Sequence, residues 1–258
     1  MAYDSITIEQ QDSIARVWLD RPQKRNALDA HTLEEITDAF TTLDRAFDTQ
    51  VVILGGRGVS FCAGADRTNP PGRATRDSGA GARERRHAAL VGRRAVEAIE
   101  RIGAITIARI QGHAIGGGVL LALACDLRIA EAGTVFGIPE VELGVPLTWG
   151  GVPRLARAVG PARAKELILL CDRFDAAEAA RFGILNRVTP PGQLDAVVDD
   201  WAGRLAAKPP WAVHMTKTQF RAYAVTQSLG DVTEGDGDLL ALATQEDPTR
   251  FAWRKPGQ

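Results

Sequence analysis

Apolar residues recur along the 258-residue chain at two spacings, which predict two kinds of element. Before residue 20, two short β-branched runs in partial alternation predict a pair of strands. Between residues 31 and 47 the apolar positions follow helical spacing, which predicts a helix that begins at Asp29 or His31. The wholly apolar run VVILGG that follows predicts a strand covered on both faces of a sheet.

Strand and helix patterns continue to alternate to about residue 150. Gly, Pro and Arg dominate residues 64–81, which predicts a long mobile loop. We then expect a helix from about Arg83 to Arg101, a strand AITIARI, a glycine run, a helix GVLLALAC and a strand DLRIAEA. Beyond Gly151 the pattern is helical, with interruptions at GILNRVTP and Pro209–Pro210. Together these elements predict an α/β fold followed by a helical region.

Composition narrows the classes of function. The chain has 45% hydrophobic and 24% charged residues, as globular proteins do, and a formal net charge of −1 gives no general attraction to nucleic acid or anionic membranes. No apolar run approaches the length that spans a bilayer, and the start of the chain resembles neither a signal nor a transit peptide. The three cysteines form no CxxC pair and no metal-binding cluster. We therefore expect a reduced, cytoplasmic protein without metal, membrane or nucleic-acid partners.

The segment GHAIGGG at residues 112–118 joins a predicted strand to a predicted helix. Such a junction exposes backbone N–H groups at a helix N-terminus, where the dipole favours negative charge. The sequence lacks the Lys-Ser/Thr of a P-loop and the spacing of a dinucleotide fingerprint. Two interpretations stay open from these residues alone: an oxyanion hole, or close packing of helix on strand without chemistry.

A second glycine-containing segment, SFCAGAD at residues 60–66, follows the strand VVILGG. Open α/β sheets tend to bind ligands beyond their strand ends. Amides from these two strand ends could therefore converge on one ligand oxygen, which favours the oxyanion interpretation.

Four segments together resemble the crotonase (enoyl-CoA hydratase/isomerase) superfamily in order and spacing, and the similarity runs from about residue 5 to the C-terminus. They are SFCAGAD, GHAIGGGVLLALACDLRIA, FGIPEVELGV and GGVPRLARAVGPARAKELIL. The resemblance implies a spiral of ββα units over residues 1–200, for acyl-CoA binding and catalysis, and a C-terminal helical region over 201–258. The latter builds homotrimers, often paired as hexamers. It also implies acyl-CoA thioester substrates, with coenzyme A carried by the substrate and no separate cofactor.

By the same resemblance, the backbone amides of Ala65 and Gly117 hold the thioester oxygen, and Glu140 matches the second of two hydratase glutamates. Leu120 stands where the first glutamate would be, and a leucine cannot orient water. One carboxylate suits proton shuttling, so isomerase-type migration of a double bond in fatty-acid or related acyl-CoA metabolism is slightly favoured. The alternatives are an enoyl-CoA hydratase and a non-catalytic acyl-CoA-binding protein. An RNA-binding member is disfavoured by the balanced charge.

Other positions complete the expected site. Asp66 either caps its loop or contacts coenzyme A. Trp149 and Leu147 are expected to line or crowd the acyl pocket, and for Trp149 a place in the core is the alternative. Glu142 is expected on the surface, although an extended segment would place it beside Glu140. By resemblance, the coenzyme A phosphates would meet Lys24, Arg25, Arg67 and Lys255. Further positions expected to line the substrate are Ala27, Ala63, Gly116, Leu120 and Pro139.

Overall fold

Two sheets form the framework of the computed structural model, which describes residues 3–227. The larger sheet has six strands in the order β1-β2-β3-β4-β6-β9, with β1 and β2 antiparallel and the other pairs parallel. The smaller sheet has the order β5-β7-β8. The strands are β1 (Ile6–Gln11), β2 (Ile14–Leu19), β3 (Val51–Gly56), β4 (Ile105–Ile110), β5 (His113–Ile115), β6 (Leu127–Glu131), β7 (Val135–Gly137), β8 (Phe174–Asp175) and β9 (Arg187–Thr189).

Helices cover both faces of the larger sheet. Asp29 caps the first of them by accepting a hydrogen bond from the Thr32 N–H. The single helix expected over residues 83–101 is divided into two helices at Leu90. The loop expected over residues 64–81 contains a short helix. The helices are α1 (Ala30–Asp44), α2 (Arg73–Asp77), α3 (Ala82–Ala89), α4 (Val91–Arg101), α5 (Gly117–Ala124), α6 (Gly151–Val159), α7 (Pro161–Leu170), α8 (Ala176–Arg181), α9 (Leu194–Ala206) and α10 (Pro210–Gln227).

The core has two layers, one on each face of the larger sheet. Residues of α1, α4 and α5 form the larger layer against one face. On the opposite face, α9 packs Leu194, Val198 and Ala202 on Ile53 and Ile107. The run VVILGG is therefore buried on both faces, as predicted. The boundary expected at residue 200 falls inside α9.

Consecutive strands divide between the two sheets and create ββα units. In β4-β5-α5 and β6-β7-α6 the first strand joins the larger sheet and the second joins the smaller one. The expected α/β fold of ββα units is confirmed. Because β5 and β7 are parallel, Gly116 and Ile138 leave neighbouring strand ends on the same side, which positions the site described below.

The helical C-terminal region is described as far as Gln227. There α10 is held by Lys217, whose buried Nζ donates to the Ala104 carbonyl and to Asp126 Oδ2, each at 2.7 Å. Within residues 3–227, no helix combines the length and the apolar character needed to cross a bilayer. Lys255 and most of the region expected to build oligomers lie outside the described residues.

Candidate active site

Three chain segments leave neighbouring extended elements at one edge of the smaller sheet. Cys62 forms a parallel bridge with Ala114 of β5, and the Ile115 N–H donates to the Cys62 carbonyl at 3.0 Å. On the other side of β5, the Gly116 N–H donates to the Gly137 carbonyl at 2.8 Å. The residues that follow each segment therefore converge: 63–66, the start of α5 and the turn that begins at Pro139.

The backbone around Ala65 and Gly117 leaves two N–H groups for a ligand. Leu28 bonds to the Gly64 carbonyl and to the Asp66 N–H, so the Ala65 N–H points away from Leu28. Gly117 is the first residue of α5, and the first N–H groups of a helix have no acceptor within it. A methyl group built on Gly64 would lie 3.6 Å from the Gly117 nitrogen, so the two segments touch. Among the described residues, no acceptor is found for either N–H.

Glu140 lies against the glycine that precedes this helix. Gly116 has a φ of 51°, and a methyl group there would lie 2.6 Å from Glu140 Oε1. The other oxygen, Oε2, is buried and has no hydrogen-bond partner among residues 3–227. Burial disfavours the carboxylate and raises the pKa of Glu140 to about 7, although the positive charge of Arg173 acts in the opposite direction. This carboxyl group can therefore both take up and release a proton near neutral pH.

Leu120 occupies the next turn of α5, on the same face as Gly116. Its side chain is 2% exposed and meets Gly151 and Leu147, because a methyl group on Gly151 would lie 2.7 Å from Leu120 Cδ2 and 2.8 Å from Leu147 Cγ. The surface next to Glu140 along this helix is consequently apolar. The Leu120 side chain itself has no group that could orient a water molecule.

The Trp149 side chain covers the N-terminus of α5. Its indole edge lies on Gly117 and its face lies on Gly92 of α4, so that a methyl group on either glycine would overlap the ring. Trp149 is 8% exposed. Trp149 therefore fits both descriptions considered from the sequence. Its ring is buried like a core residue, and it also borders Gly117, which carries one of the two N–H groups.

The turn after β2 is joined to the Ala65 segment by backbone hydrogen bonds. The Ala63 N–H donates to the Arg25 carbonyl at 2.9 Å, and the Leu28 N–H donates to the Gly64 carbonyl at 2.8 Å. Ala27 is buried in this turn and Arg25 is exposed. The expected coenzyme A contact Arg25 and the expected substrate-lining position Ala27 therefore lie in a turn that is bonded to the segment carrying the Ala65 N–H.

Asp66 anchors this region from within. Its buried carboxylate accepts hydrogen bonds from Arg21 and Lys24 at 2.9 Å and from the N–H and hydroxyl groups of Thr68. Burial alone would raise the pKa of Asp66, but the bonds from Thr68, Lys24 and Arg21 outweigh it and hold the pKa well below its usual value. Of the two roles open from the sequence, the geometry matches the loop cap.

The remaining candidates lie at the margin of the site. Glu142 is exposed, and it does not share the direction of Glu140 because residues 139–145 form a turn rather than an extended segment. Arg67 is exposed, and Pro139 is partly buried next to Glu140. His113, given no catalytic role from the sequence, has its Nδ1 3.1 Å from the Ser60 hydroxyl.

Sequence reasoning missed three residues that shape the site. Gly92 receives the Trp149 ring, Leu28 packs beside Gly117, and the buried Arg154 donates to the Gly150 carbonyl at 3.0 Å. Only Gly92 carried a signal, because an isolated glycine within a helix usually has a packing reason. The other two positions depend on tertiary contacts.

Comparisons with known proteins identify the family of the chain. The model of the enoyl-CoA hydratase/isomerase family matches residues 9–253. A crotonyl-CoA hydratase of Syntrophomonas wolfei is 38% identical over 248 residues, which are 95% of this chain and 93% of that protein. A short-chain-enoyl-CoA hydratase of Clostridium acetobutylicum is 34% identical and is covered to 94% of its length by 96% of this chain.

Solved structures show the same architecture. The crystal structure of an enoyl-CoA hydratase from Mycobacterium avium subsp. paratuberculosis matches with a TM-score of 0.86 and 27% identity, and the match covers 97% of both chains. A structure of an enoyl-CoA hydratase from Bacillus anthracis matches with a TM-score of 0.78 and 31% identity, over 97% of this chain and 91% of the other.

Proposed function

Since the chain belongs to the enoyl-CoA hydratase/isomerase family, we propose that it binds enoyl-CoA thioesters and moves their double bond from the β,γ to the α,β position. The observation that carries this proposal is the carboxyl group of Glu140, which lies against Gly116 at the start of α5, while the next position on the same face of that helix is Leu120 instead of a second carboxylate.

The reaction needs two functions, which the site divides between backbone and side chain. The N–H groups of Ala65 and Gly117 donate to the thioester oxygen and stabilise the negative charge that develops there. Glu140 removes a proton from the α-carbon of a 3-enoyl-CoA, and the electron pair moves into the thioester carbonyl to give a dienolate. The carboxylic acid then returns that proton to the γ-carbon, and the double bond forms between the α and β carbons.

The pKa of Glu140 supports this cycle. A group that is a base in one step and an acid in the next works best when its pKa lies near the working pH, and burial raises the pKa of Glu140 to about 7. The apolar surface at Leu120 also keeps water from competing for the dienolate.

Hydration of a 2-enoyl-CoA is the second candidate, and the names of the relatives favour it, since those from Syntrophomonas wolfei and Clostridium acetobutylicum are both called hydratases. The two candidates differ in their need for a second polar group that holds the attacking water. A third possibility, binding without catalysis, has only Leu120 in its support.

Two substrates distinguish the candidates. Purified protein is given a 3-enoyl-CoA and, separately, a 2-enoyl-CoA, and the products are separated by chromatography. We expect kcat/KM for isomerisation to exceed that for water addition, and we expect Leu120→Glu to raise hydration relative to isomerisation, with Leu120→Met as the control. Rapid hydration by the wild-type protein would overturn the proposal in favour of the hydratase, and binding without turnover would favour the non-catalytic alternative.

A further inference from the structure

We propose that Trp149 determines the length of the acyl chain that the site accepts, and that it restricts the substrate to short chains. This inference rests on the proposed function, because it assumes that the carbonyl of an acyl-CoA lies at the N–H groups of Ala65 and Gly117. It adds a specificity-determining residue for that same site.

The first observation is where the indole lies. The ring is inserted between Gly92 of α4 and Gly117 of α5, and the absence of a side chain at both positions is what admits it. An acyl chain whose carbonyl is bound at Gly117 therefore meets the indole within a few carbon atoms. Leu120 and Leu147 continue the apolar surface beside Gly151.

The second observation is the backbone of Trp149. Its φ of 57° lies in the left-handed region, which is uncommon for a bulky residue and costs energy. The following residue, Gly150, is left-handed as well, with a φ of 69°. This paired conformation turns the Trp149 side chain inward toward α4 and α5 instead of outward.

The third observation is the support that holds this turn in place. Arg154 is buried, and its guanidinium donates to the carbonyls of Trp149 at 3.4 Å and Gly150 at 3.0 Å. The same guanidinium is paired with Glu100 of α4, so that the turn and the helix under the indole are fixed to each other. The Trp149 ring is therefore held rigidly, and moving it to make room for a longer acyl chain would cost substantial free energy.

Removing the ring would open apolar space beside the first two turns of α4. There Val91, Gly92, Ala95 and Val96 are buried. A methylene group that moves from water into such a place gains a factor of about four in affinity. We therefore expect the affinity for acyl-CoA to rise with each added methylene group when the ring is removed, but not in the wild-type protein.

The test is calorimetric binding of saturated butanoyl-, octanoyl- and dodecanoyl-CoA, which cannot react. We expect the wild-type protein to bind octanoyl-CoA no tighter than butanoyl-CoA. For Trp149→Ala we expect octanoyl-CoA to gain about tenfold or more over butanoyl-CoA. Trp149→Phe, a smaller change that is less prone to misfold, should give an intermediate ratio. Trp201→Phe, on α9 at the opposite face of the larger sheet, should keep the wild-type ratio.

The outcomes separate this inference from the proposed function. A folded Trp149→Ala or Trp149→Phe protein with the wild-type chain-length profile overturns the role of Trp149, and so does a wild-type protein that already prefers octanoyl-CoA tenfold. A protein that shows the expected binding profile but turns over neither a 3-enoyl- nor a 2-enoyl-CoA contradicts the proposed function alone. If the wild-type protein binds no acyl-CoA, both are wrong.

Discussion

Replacing Glu140 by glutamine is expected to remove activity and, above neutral pH, to stabilise the fold. The carboxylate is held where water cannot solvate Oε2, and no described residue donates a hydrogen bond to that oxygen. An ionised Glu140 is poorly solvated there, whereas water solvates it in the unfolded chain, so ionisation destabilises the folded state relative to the unfolded one. Glutamine keeps the shape of the side chain but carries no charge, so the Glu140→Gln protein is free of that cost.

The magnitude follows from the shift in pKa. Burial raises the pKa of Glu140 from 4.5 to about 7, and a displacement of this size corresponds to about 3 kcal/mol. The unfolded chain loses its proton near pH 4.5 and the folded protein only near pH 7, so the unfolded state binds fewer protons in this window. The free energy of unfolding of the wild-type protein therefore falls as pH rises through the window, and the full loss is present above pH 7.

Urea unfolding at a series of pH values measures this effect. We expect the free energy of unfolding of Glu140→Gln to match that of the wild-type protein near pH 4.5 and to exceed it by up to about 3 kcal/mol at pH 8. If the proposed isomerase mechanism holds, its kcat/KM should fall by a factor of about 10² or more, because the substitution removes the proposed acid–base group. The control is Glu142→Gln, which removes an exposed carboxylate two residues away and should change neither quantity.

Two results would refute this reasoning. If the difference in stability between Glu140→Gln and the wild-type protein is independent of pH, the carboxylate does not titrate with a raised pKa. If Glu140→Gln keeps wild-type turnover, Glu140 is not the proton-transferring group, whatever its effect on stability.

Three further predictions concern neighbouring residues and the pH profile. Isomerase kcat/KM should rise with pH to an apparent pKa near 7, because Glu140 must be ionised to act as a base, and a flat profile from pH 5 to 9 would contradict this. Asp66→Asn should lower the free energy of unfolding by about 1–3 kcal/mol, an effect lost as pH falls through the low pKa of Asp66; an unchanged urea midpoint at pH 7 would show that its hydrogen bonds do not hold the loop. Gly92→Ala should cost about 1–3 kcal/mol through overlap with Trp149, and the cost should vanish when Trp149→Ala is the background.

Periodicity predicted the parts of the fold that have a strong local pattern. The buried strand β3 and the helix α5 were evident from apolar runs and glycines, and Asp29 was one of two positions, with His31, at which the first helix was expected to begin. The two-residue strand β8 and the three-residue strand β9 were not, because strands this short carry no readable alternation and form only through pairing with distant segments. The sequence also did not reveal the division at Leu90, because α3 and α4 together follow one continuous helical pattern.

Resemblance located the candidate site more fully than physical patterns alone. The glycine runs indicated exposed amides, but only the structure shows that Glu140 lies over Gly116 with one buried, unpartnered oxygen. The position of Trp149 was open between core and pocket, and its left-handed backbone could not be read from the sequence, because tryptophan rarely adopts that conformation. Such exceptions to local preference are expected where a site imposes its own geometry.

The infrared stretching frequency of a bound thioester carbonyl tests most directly whether two backbone N–H groups polarise that oxygen. An acyl-CoA labelled with ¹³C at the carbonyl is bound to the wild-type protein and to Glu140→Gln, and each spectrum is compared with that of the free ligand. We expect the band to move to lower frequency by the same amount in both proteins, since the proposed donors are the amides of Ala65 and Gly117. A bound carbonyl that absorbs at the same frequency as the free ligand in water would contradict the oxyanion hole.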